Sequence, residues 1–220
     1  TPIIELSNIT SNSGVRIFAK LEGQNPSGSI KDRIVLSMIE AAEKAGNLKQ
    51  GDTIVEASTG NTAIAVAALA PRRGYKVHVV LPRGIVPSIV DILSLYGAQI
   101  EWVDPQAGMG GALDRAQELL ATPGYHALGQ FTNQANIDCH YQTTGLEIVN
   151  EMTRLDVFIA GIGTGGTIMG VGTKLREKWP RIKVIGVEPR LGEKLQGLRS
   201  LSEGFIPPLL NLDFLNGRFM

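Results

Sequence analysis

The segment Asp156–Thr167 reads DVFIAGIGTGGT and identifies the fold class more clearly than any other part of the chain. The run Val157–Ala160 is apolar throughout, as in a strand that is buried on both faces, and an amphipathic stretch follows the glycines. A strand, a glycine-rich turn and a helix in this order predict one unit of a parallel α/β sheet. Backbone N–H groups at such a turn can surround a phosphate, so the segment also predicts an anion site.

The same alternation of strands and helices continues on both sides of this segment. Together the patterns predict a doubly wound α/β fold with mostly parallel strands. We predict strands at 15–21, 52–56, 76–81, 99–103, 156–160 and 182–187, and helices at 29–45, 60–70, 87–96, 110–121 and 165–179. Residues 132–139 are polar with little periodicity, so we predict an irregular crossing between two lobes there.

The composition excludes several classes of protein. The 220 residues carry a formal net charge of zero, which gives no electrostatic reason to expect nucleic acid or an anionic membrane as a partner. No apolar run approaches the roughly 18 residues that would span a bilayer, and no metal-binding cluster is evident. The single cysteine, Cys139, allows no intrachain disulfide and predicts a cytoplasmic protein.

A lysine at the start of a predicted helix is the first candidate for chemistry. Asn25–Ser29 forms a predicted turn, with Ser29 as the expected N-cap, and Lys31 follows in the first helical turn. The positive end of the helix favours the neutral amine, which is the form that makes a Schiff base. The alternative interpretation is an ordinary surface lysine.

Hydroxyl and amide side chains cluster where the strand at 52–56 ends. The run Glu56–Thr62 reads EASTGNT and leads into the next predicted helix, whose first N–H groups could hold a carboxylate. A structural N-cap alone would need one such side chain, whereas this run supplies several.

The glycine-rich turn also matches a dinucleotide-binding pattern. Gly161, Gly163 and Gly166 satisfy Gly-x-Gly-x-x-Gly, and Glu188 follows about twenty residues later, where an acidic residue could bind a ribose. By itself the turn therefore leaves an NAD-binding protein open as an alternative.

Taken together, the three segments resemble the motifs of the cysteine synthase family, in order and at matching spacing. The resemblance runs from Thr1 almost to the end, and includes Gln130-Phe131, His140–Gly145 and Gly186–Pro189. It implies a two-lobed fold type II pyridoxal 5'-phosphate enzyme, similar to the tryptophan synthase β chain. A small mobile lobe at 32–133, a larger lobe at 1–31 plus 134–220, and a homodimer are implied with it.

The resemblance also implies a role for each residue that matches a family motif. Lys31 would form the Schiff base and carry the substrate α-proton, and Asn61 would bond the cofactor ring oxygen. The phosphate would be held by Gly163, Thr164, Gly165, Gly166 and Thr167. The substrate carboxylate would be received by Ser58, Thr59, Gly60, Thr62 and Gln130. The implied reaction replaces the β-substituent of O-acetylserine or O-phosphoserine by a sulfur nucleophile, through an aminoacrylate, and yields L-cysteine.

The sequence departs from the family at places that bear on the chemistry. Relatives continue past the position of Met220 with the serine that meets the pyridine nitrogen, so the chain is expected to be truncated there. Arg199 stands where acetylserine-type enzymes usually have a small residue, and a guanidinium suits a phosphate or sulfonate. Other interpretations remain: a serine or threonine dehydratase, an enzyme like cystathionine β-synthase, or a non-catalytic homologue that binds a partner.

Overall fold

The computed structural model describes residues 1–193 and 195–220, which form short strands alternating with helices. The strands are β1 (Ile3–Glu5), β2 (Phe18–Lys20), β3 (Thr53–Glu56), β4 (Lys76–Pro82), β5 (Gln99–Val103), β6 (Tyr125–His126), β7 (Val157–Gly161), β8 (Lys183–Val187) and β9 (Gly217–Phe219). The helices are α1 (Lys31–Lys44), α2 (Asn61–Leu69), α3 (Pro87–Leu95), α4 (Gly108–Leu119), α5 (Gln134–His140), α6 (Leu146–Glu151) and α7 (Gly166–Lys178).

The first large sheet is parallel, with the strand order β5-β4-β3-β6. Alternate residues of β3 face opposite sides: Ile54 packs in the cluster with α1 and α2, and Val55 packs in the cluster with α4. Helices therefore cover both faces, as the apolar strand pattern predicts for a doubly wound sheet.

The second parallel sheet has the order β7-β8-β9, and α7 packs on one of its faces. Val157 and Ile159 of β7 point the other way and are 45% and 60% exposed. The expectation that this apolar strand is covered on both faces is therefore wrong for the described residues, because they place no helix against its outer side. A short antiparallel pair, β1 with β2, completes the strands of the described chain.

The irregular structure expected at 132–139 is wrong for most of the stretch, because the chain is helical from Gln134, while the crossing between two lobes stays a prediction. The Asn133 side chain caps this helix by accepting a hydrogen bond from the Ala135 N–H at 3.0 Å. A π-helical turn at Tyr141–Gly145 joins α5 to α6. The helix escapes a periodicity search because its buried side is partly polar, with Asn136 and His140 facing the interior.

Two glycines let α7 approach α5 closely. A methyl group at Gly170 would lie 2.8 Å from the His140 Cβ, and one at Gly166 would lie 2.9 Å from Asn136 Nδ2. A larger side chain at either position would push the helices apart. The two glycines therefore allow α5 to pack against the start of α7.

Helix and strand bounds elsewhere follow the sequence prediction within a few residues, apart from the strand expected at 15–21, which shortens to Phe18–Lys20. The strands β1, β6 and β9 are too short to give a periodic pattern and were not predicted, and the six-residue helix α6 was not predicted either. Within the described ranges, none of the helices combines the length and the apolar character that crossing a membrane requires.

Candidate active site

Two helix starts that follow parallel strands supply the backbone of the site. Helix α2 begins at Asn61, shortly after β3, and α7 begins at Gly166, shortly after β7. The residues at the two N-cap positions, Gly60 and Gly165, have no side chain to cap these helices. The Gly166 N–H donates to Thr164 Oγ1 at 3.4 Å, and the other N–H groups of the first turns remain available to an anion. Ligands of open α/β sheets bind at this end of the strands.

Lys31 is the first residue of α1, two positions after the end of the predicted turn. Its backbone N–H donates to Ser29 Oγ at 3.2 Å, while Ile30 occupies the N-cap position expected for Ser29. Burial lowers the pKa of the Lys31 amine, and the Glu56 carboxylate partly opposes this shift. Lys31 is partly exposed, and a lowered pKa favours the neutral amine, which is the form that attacks a carbonyl.

The segment Ser58–Thr62 lies between β3 and the first turn of α2, as the sequence predicts. The Gly60 N–H donates to Ser58 Oγ at 3.3 Å, and Thr59 and Asn61 are half-buried beside it. The Thr62 hydroxyl donates to Gln130 Oε1 at 2.8 Å, which brings a residue 68 positions away to this loop. The candidate carboxylate site therefore combines the start of α2 with an amide from the segment before α5.

The turn between β7 and α7 forms a cradle that requires glycine. Gly165 adopts a φ of +90°, which side chains rarely tolerate, and it immediately precedes α7. A methyl at Gly163 would lie 2.6 Å from the Gly197 carbonyl oxygen, so that side is closed by backbone. The Thr164 hydroxyl accepts from Asn136 Nδ2 at 3.0 Å. The cradle, with uncapped N–H groups and two hydroxyls, fits a phosphate group.

Glu188 cannot serve as a ribose ligand in this arrangement. Its carboxylate accepts a hydrogen bond from the Leu201 N–H at 2.6 Å and another from Arg218 Nη1 at 3.0 Å. The side chain is buried behind these two donors. Because both of its oxygens accept hydrogen bonds inside the fold, Glu188 is not available to bind a ribose. The glycine pattern at Gly161–Gly166 therefore does not indicate a dinucleotide site.

His140 lies behind the glycine-rich turn. Its Nδ1 is 2.9 Å from Thr144 Oγ1, and its Nε2 is 3.1 Å from Thr167 Oγ1. Burial, together with the charge on Lys31, lowers the pKa of His140 to about 3, so the ring is neutral. A neutral imidazole can donate at one nitrogen and accept at the other, and it therefore fixes the Thr167 hydroxyl.

Arg199 lies beside the same turn, since its backbone N–H donates to the Ile162 carbonyl at 2.8 Å. Its guanidinium carbon is 5.5 Å from the centre of the Phe131 ring and 5.1 Å from that of Phe205. Among the described residues, no carboxylate forms an ion pair with it. The two rings hold the cation beside the segment that carries Gln130.

Three residues of this site were not assigned a role from the sequence: Glu56, Asn136 and His140. Glu56 and His140 stand within the quoted motifs, but nothing in a local pattern shows that they are buried beside Lys31. A charged residue that ends a short apolar strand was the available signal for Glu56.

Comparison with known proteins agrees with this geometry. The family model of the pyridoxal-phosphate dependent enzymes matches residues 1–214. The chain therefore belongs to the pyridoxal-phosphate dependent enzyme family, and its fold is the one expected from the sequence. The glycine cradle, the partly buried Lys31 and the uncapped start of α2 fit the phosphate, carbonyl and carboxylate groups that such an enzyme binds.

Within that family the chain is similar to cysteine synthases. It is 40% identical to the cysteine synthase of Staphylococcus aureus, over 97% of this chain and 72% of the relative. A cysteine synthase from a Flavobacterium species is 42% identical over 99% of this chain and 73% of its own length.

The chain is also similar to enzymes of known structure. O-ureido-L-serine synthase is 34% identical, with a TM-score of 0.93 over 99% of this chain and 72% of that protein. A hydrogen sulfide-producing enzyme from Fusobacterium nucleatum is 36% identical, with a TM-score of 0.87 over 99% of this chain and 76% of that protein.

Proposed function

We propose that this protein is a pyridoxal-phosphate dependent cysteine synthase, which replaces the β-substituent of an activated L-serine by sulfide. The observation that carries the proposal is a partly buried lysine with a lowered amine pKa at the start of α1, in a chain where two further helices begin after glycine N-caps. The similarity to cysteine synthases over most of the chain supports the same reaction.

The overall reaction balances in bonds and protons. The Cβ–O bond of O-acetylserine or O-phosphoserine breaks and the acetate or phosphate leaves with the electron pair. Hydrosulfide then forms the Cβ–S bond, and the proton that was taken from Cα is returned, which gives L-cysteine. When bound, the cofactor supplies the electron sink that makes loss of the α-proton feasible.

The residues of this chain bind, orient and move protons. Lys31 is the residue that would hold the cofactor, and its amine would carry the α-proton. The cradle Gly163–Thr167 receives the phosphate, and Asn61 lies at the start of α2 to meet the cofactor ring oxygen.

The substrate carboxylate is proposed to bind at the start of α2. The available N–H groups there carry partial positive charge, and the hydroxyls of Ser58, Thr59 and Thr62 add donors, together with the Gln130 amide. Gly60 leaves room at this turn for the carboxylate to approach the backbone. Placement of both ends of the amino acid against fixed groups orients its Cα–H bond toward Lys31.

Arg199 is proposed to select the leaving group. Its guanidinium is held between Phe131 and Phe205 without an ion-pair partner among the described residues, as a site for a dianion would require. We therefore expect O-phosphoserine to be used. Arg199→Ala should raise the KM for O-phosphoserine far more than that for O-acetylserine. Unchanged kinetics with O-phosphoserine would exclude this role.

Two coarser features are proposed with the activity. A homodimer and a cytoplasmic location follow from the family resemblance and from the single cysteine, and light scattering of the purified protein measures the former. The division into a lobe of 32–133 and a lobe of 1–31 plus 134–220 remains a prediction, which limited proteolysis with and without an amino-acid substrate would test.

A visible absorption spectrum tests the proposed function directly. Protein loaded with pyridoxal phosphate should show a visible band that shifts when O-acetylserine or O-phosphoserine is added. Addition of sulfide should restore the original band and release L-cysteine. Reduction of the loaded protein with sodium borohydride should remove the band and leave the cofactor attached to Lys31. Absence of a band after loading, or a band that ignores both serine derivatives, would overturn the proposal.

A further inference from the structure

A buried carboxylate lies beside the proposed carboxylate site. Glu56 is the last residue of β3, and only 7% of it is exposed to solvent. Burial of a carboxylate is costly unless hydrogen bonds or charges compensate it. Neither the cofactor cradle nor the catalytic proton transfer requires a carboxylate at this position, so its partners indicate its role.

Gln130 links Glu56 to the substrate loop. The Gln130 Nε2 donates to Glu56 Oε1 at 3.1 Å, and the Gln130 Oε1 accepts from the Thr62 hydroxyl at 2.8 Å. An ionised carboxylate accepts hydrogen bonds and never donates them, so it must face the NH₂ end of the amide. Glu56 therefore allows one orientation of the amide, in which a second N–H of Nε2 remains for another acceptor.

A positive charge on Lys31 favours the ionised form of Glu56, which accepts hydrogen bonds. Burial raises the pKa of Glu56 to about 7, while the Gln130 hydrogen bond and the Lys31 charge oppose the rise. Lys31 approaches from α1, and Gln130 from the segment between β6 and α5. These are the described groups whose charge or hydrogen bond acts on the carboxylate.

We propose that Glu56 is a positioning residue for substrate binding, which orients the Gln130 amide so that its second N–H donates to the carboxylate of the amino-acid substrate. This inference rests on the proposed function, because it gives Gln130 a carboxylate to bind. Glu56 itself does not touch the substrate. Loss of its negative charge should weaken amino-acid binding through Gln130 and leave the cofactor cradle intact.

The substitution Glu56→Gln tests this role, because a glutamine of nearly equal size can face Gln130 with either end of its amide. We expect about a tenfold rise in the Kd for L-alanine, an amino acid without a leaving group, measured from the absorption of the bound cofactor. The KM for O-acetylserine should rise similarly while kcat changes less than threefold. The affinity for pyridoxal phosphate should not change. Glu101→Gln on β5 is the matched control, because its carboxylate pairs with Arg115 away from the site.

A double variant separates positioning from other roles. In a Gln130→Leu background, Glu56→Gln should add less than a twofold change, because the amide that it orients is absent. Multiplicative effects, or a fall in kcat at constant KM and Kd, would overturn the proposal. If Glu56→Gln does not fold, Glu56→Asp gives the same comparison, because its shorter side chain withdraws the acceptor from Nε2.

A measurement on the cofactor-free protein tests the hydrogen bond independently. The Gln130 side-chain amide protons should exchange slowly in ¹⁵N-labelled wild-type protein and lose that protection in Glu56→Gln. Equal exchange in both proteins would refute the orientation of the amide. If the proposed function itself is wrong, the loaded wild-type protein will show no spectral response to amino acids. That result differs from the outcomes above, and it would refute the proposed function and the role of Glu56 together.

Discussion

The substitution Gly166→Ala tests the packing that forms the phosphate cradle. Its new methyl would lie 2.9 Å from Asn136 Nδ2 and would overlap the rest of that amide. Asn136 is fully buried, and its Nδ2 donates to the Gln130 carbonyl at 2.8 Å and to Thr164 Oγ1 at 3.0 Å. Displacement of Asn136 therefore breaks both hydrogen bonds as the two helices separate.

The expected magnitude follows from these contacts. Two hydrogen bonds contribute about 1 kcal/mol each, and overpacking of a close-packed interior costs about 2 kcal/mol. Replacement of glycine by alanine in a helix returns about 1 kcal/mol. We therefore expect Gly166→Ala to lower the free energy of unfolding by about 3 kcal/mol. It should also weaken binding of pyridoxal phosphate, because the start of α7 moves.

Urea denaturation followed by circular dichroism measures the change, with Gly110→Ala as the control. Gly110 is an exposed residue of α4 whose methyl would meet nothing within 4 Å, so that variant should be unchanged or slightly more stable. In an Asn136→Ala background the cost of Gly166→Ala should nearly vanish. Equal stability of Gly166→Ala and wild type, or the same loss in both backgrounds, would refute the reasoning.

Three further predictions follow from buried groups. Lys31→Ala should abolish the visible cofactor band and reduce turnover by about a thousandfold or more, and substantial residual turnover would exclude Lys31 as the residue that holds the cofactor. Because the pKa of His140 is lowered in the fold to about 3, the unfolded state takes up its proton first below pH 6.5, so the contribution of His140 to stability should fall by about 1.4 kcal/mol per pH unit toward pH 3. Urea titrations of His140→Gln should show a weaker loss, and an identical pH dependence would contradict the assignment. Burial raises the pKa of the Cys139 thiol, whose Sγ lies 3.1 Å from the Arg33 carbonyl oxygen, so a thiol reagent at pH 8 should label Cys139 after unfolding and not before. Rapid labelling of the native protein would show that the thiol is accessible.

Much of the fold could be predicted from local patterns. Apolar runs and amphipathic stretches locate most of the longer strands and helices, because burial on two faces or on one face leaves a period in the sequence. The helix α5 escaped this approach, since Asn136 and His140 on its buried side are polar and interrupt the period. Within the described residues no helix covers the outer face of β7; an apolar run records the character of a strand and not the presence of a covering layer.

In the candidate site, too, the local motifs could be predicted from the sequence and the long-range contacts could not. Lys31, the run Ser58–Thr62 and the cradle Gly163–Thr167 can be recognised in the sequence, because turn chemistry and glycine-rich helix starts depend on neighbours in the chain. The link from Glu56 to Gln130 joins residues 74 positions apart, and the contact of Asn136 with Thr164 joins residues 28 apart. Such pairs arise from strand order and helix packing, which depend on burial summed over the whole chain. Folding is therefore what brings Glu56 beside Gln130 and Lys31, and what lowers the pKa of the buried amine.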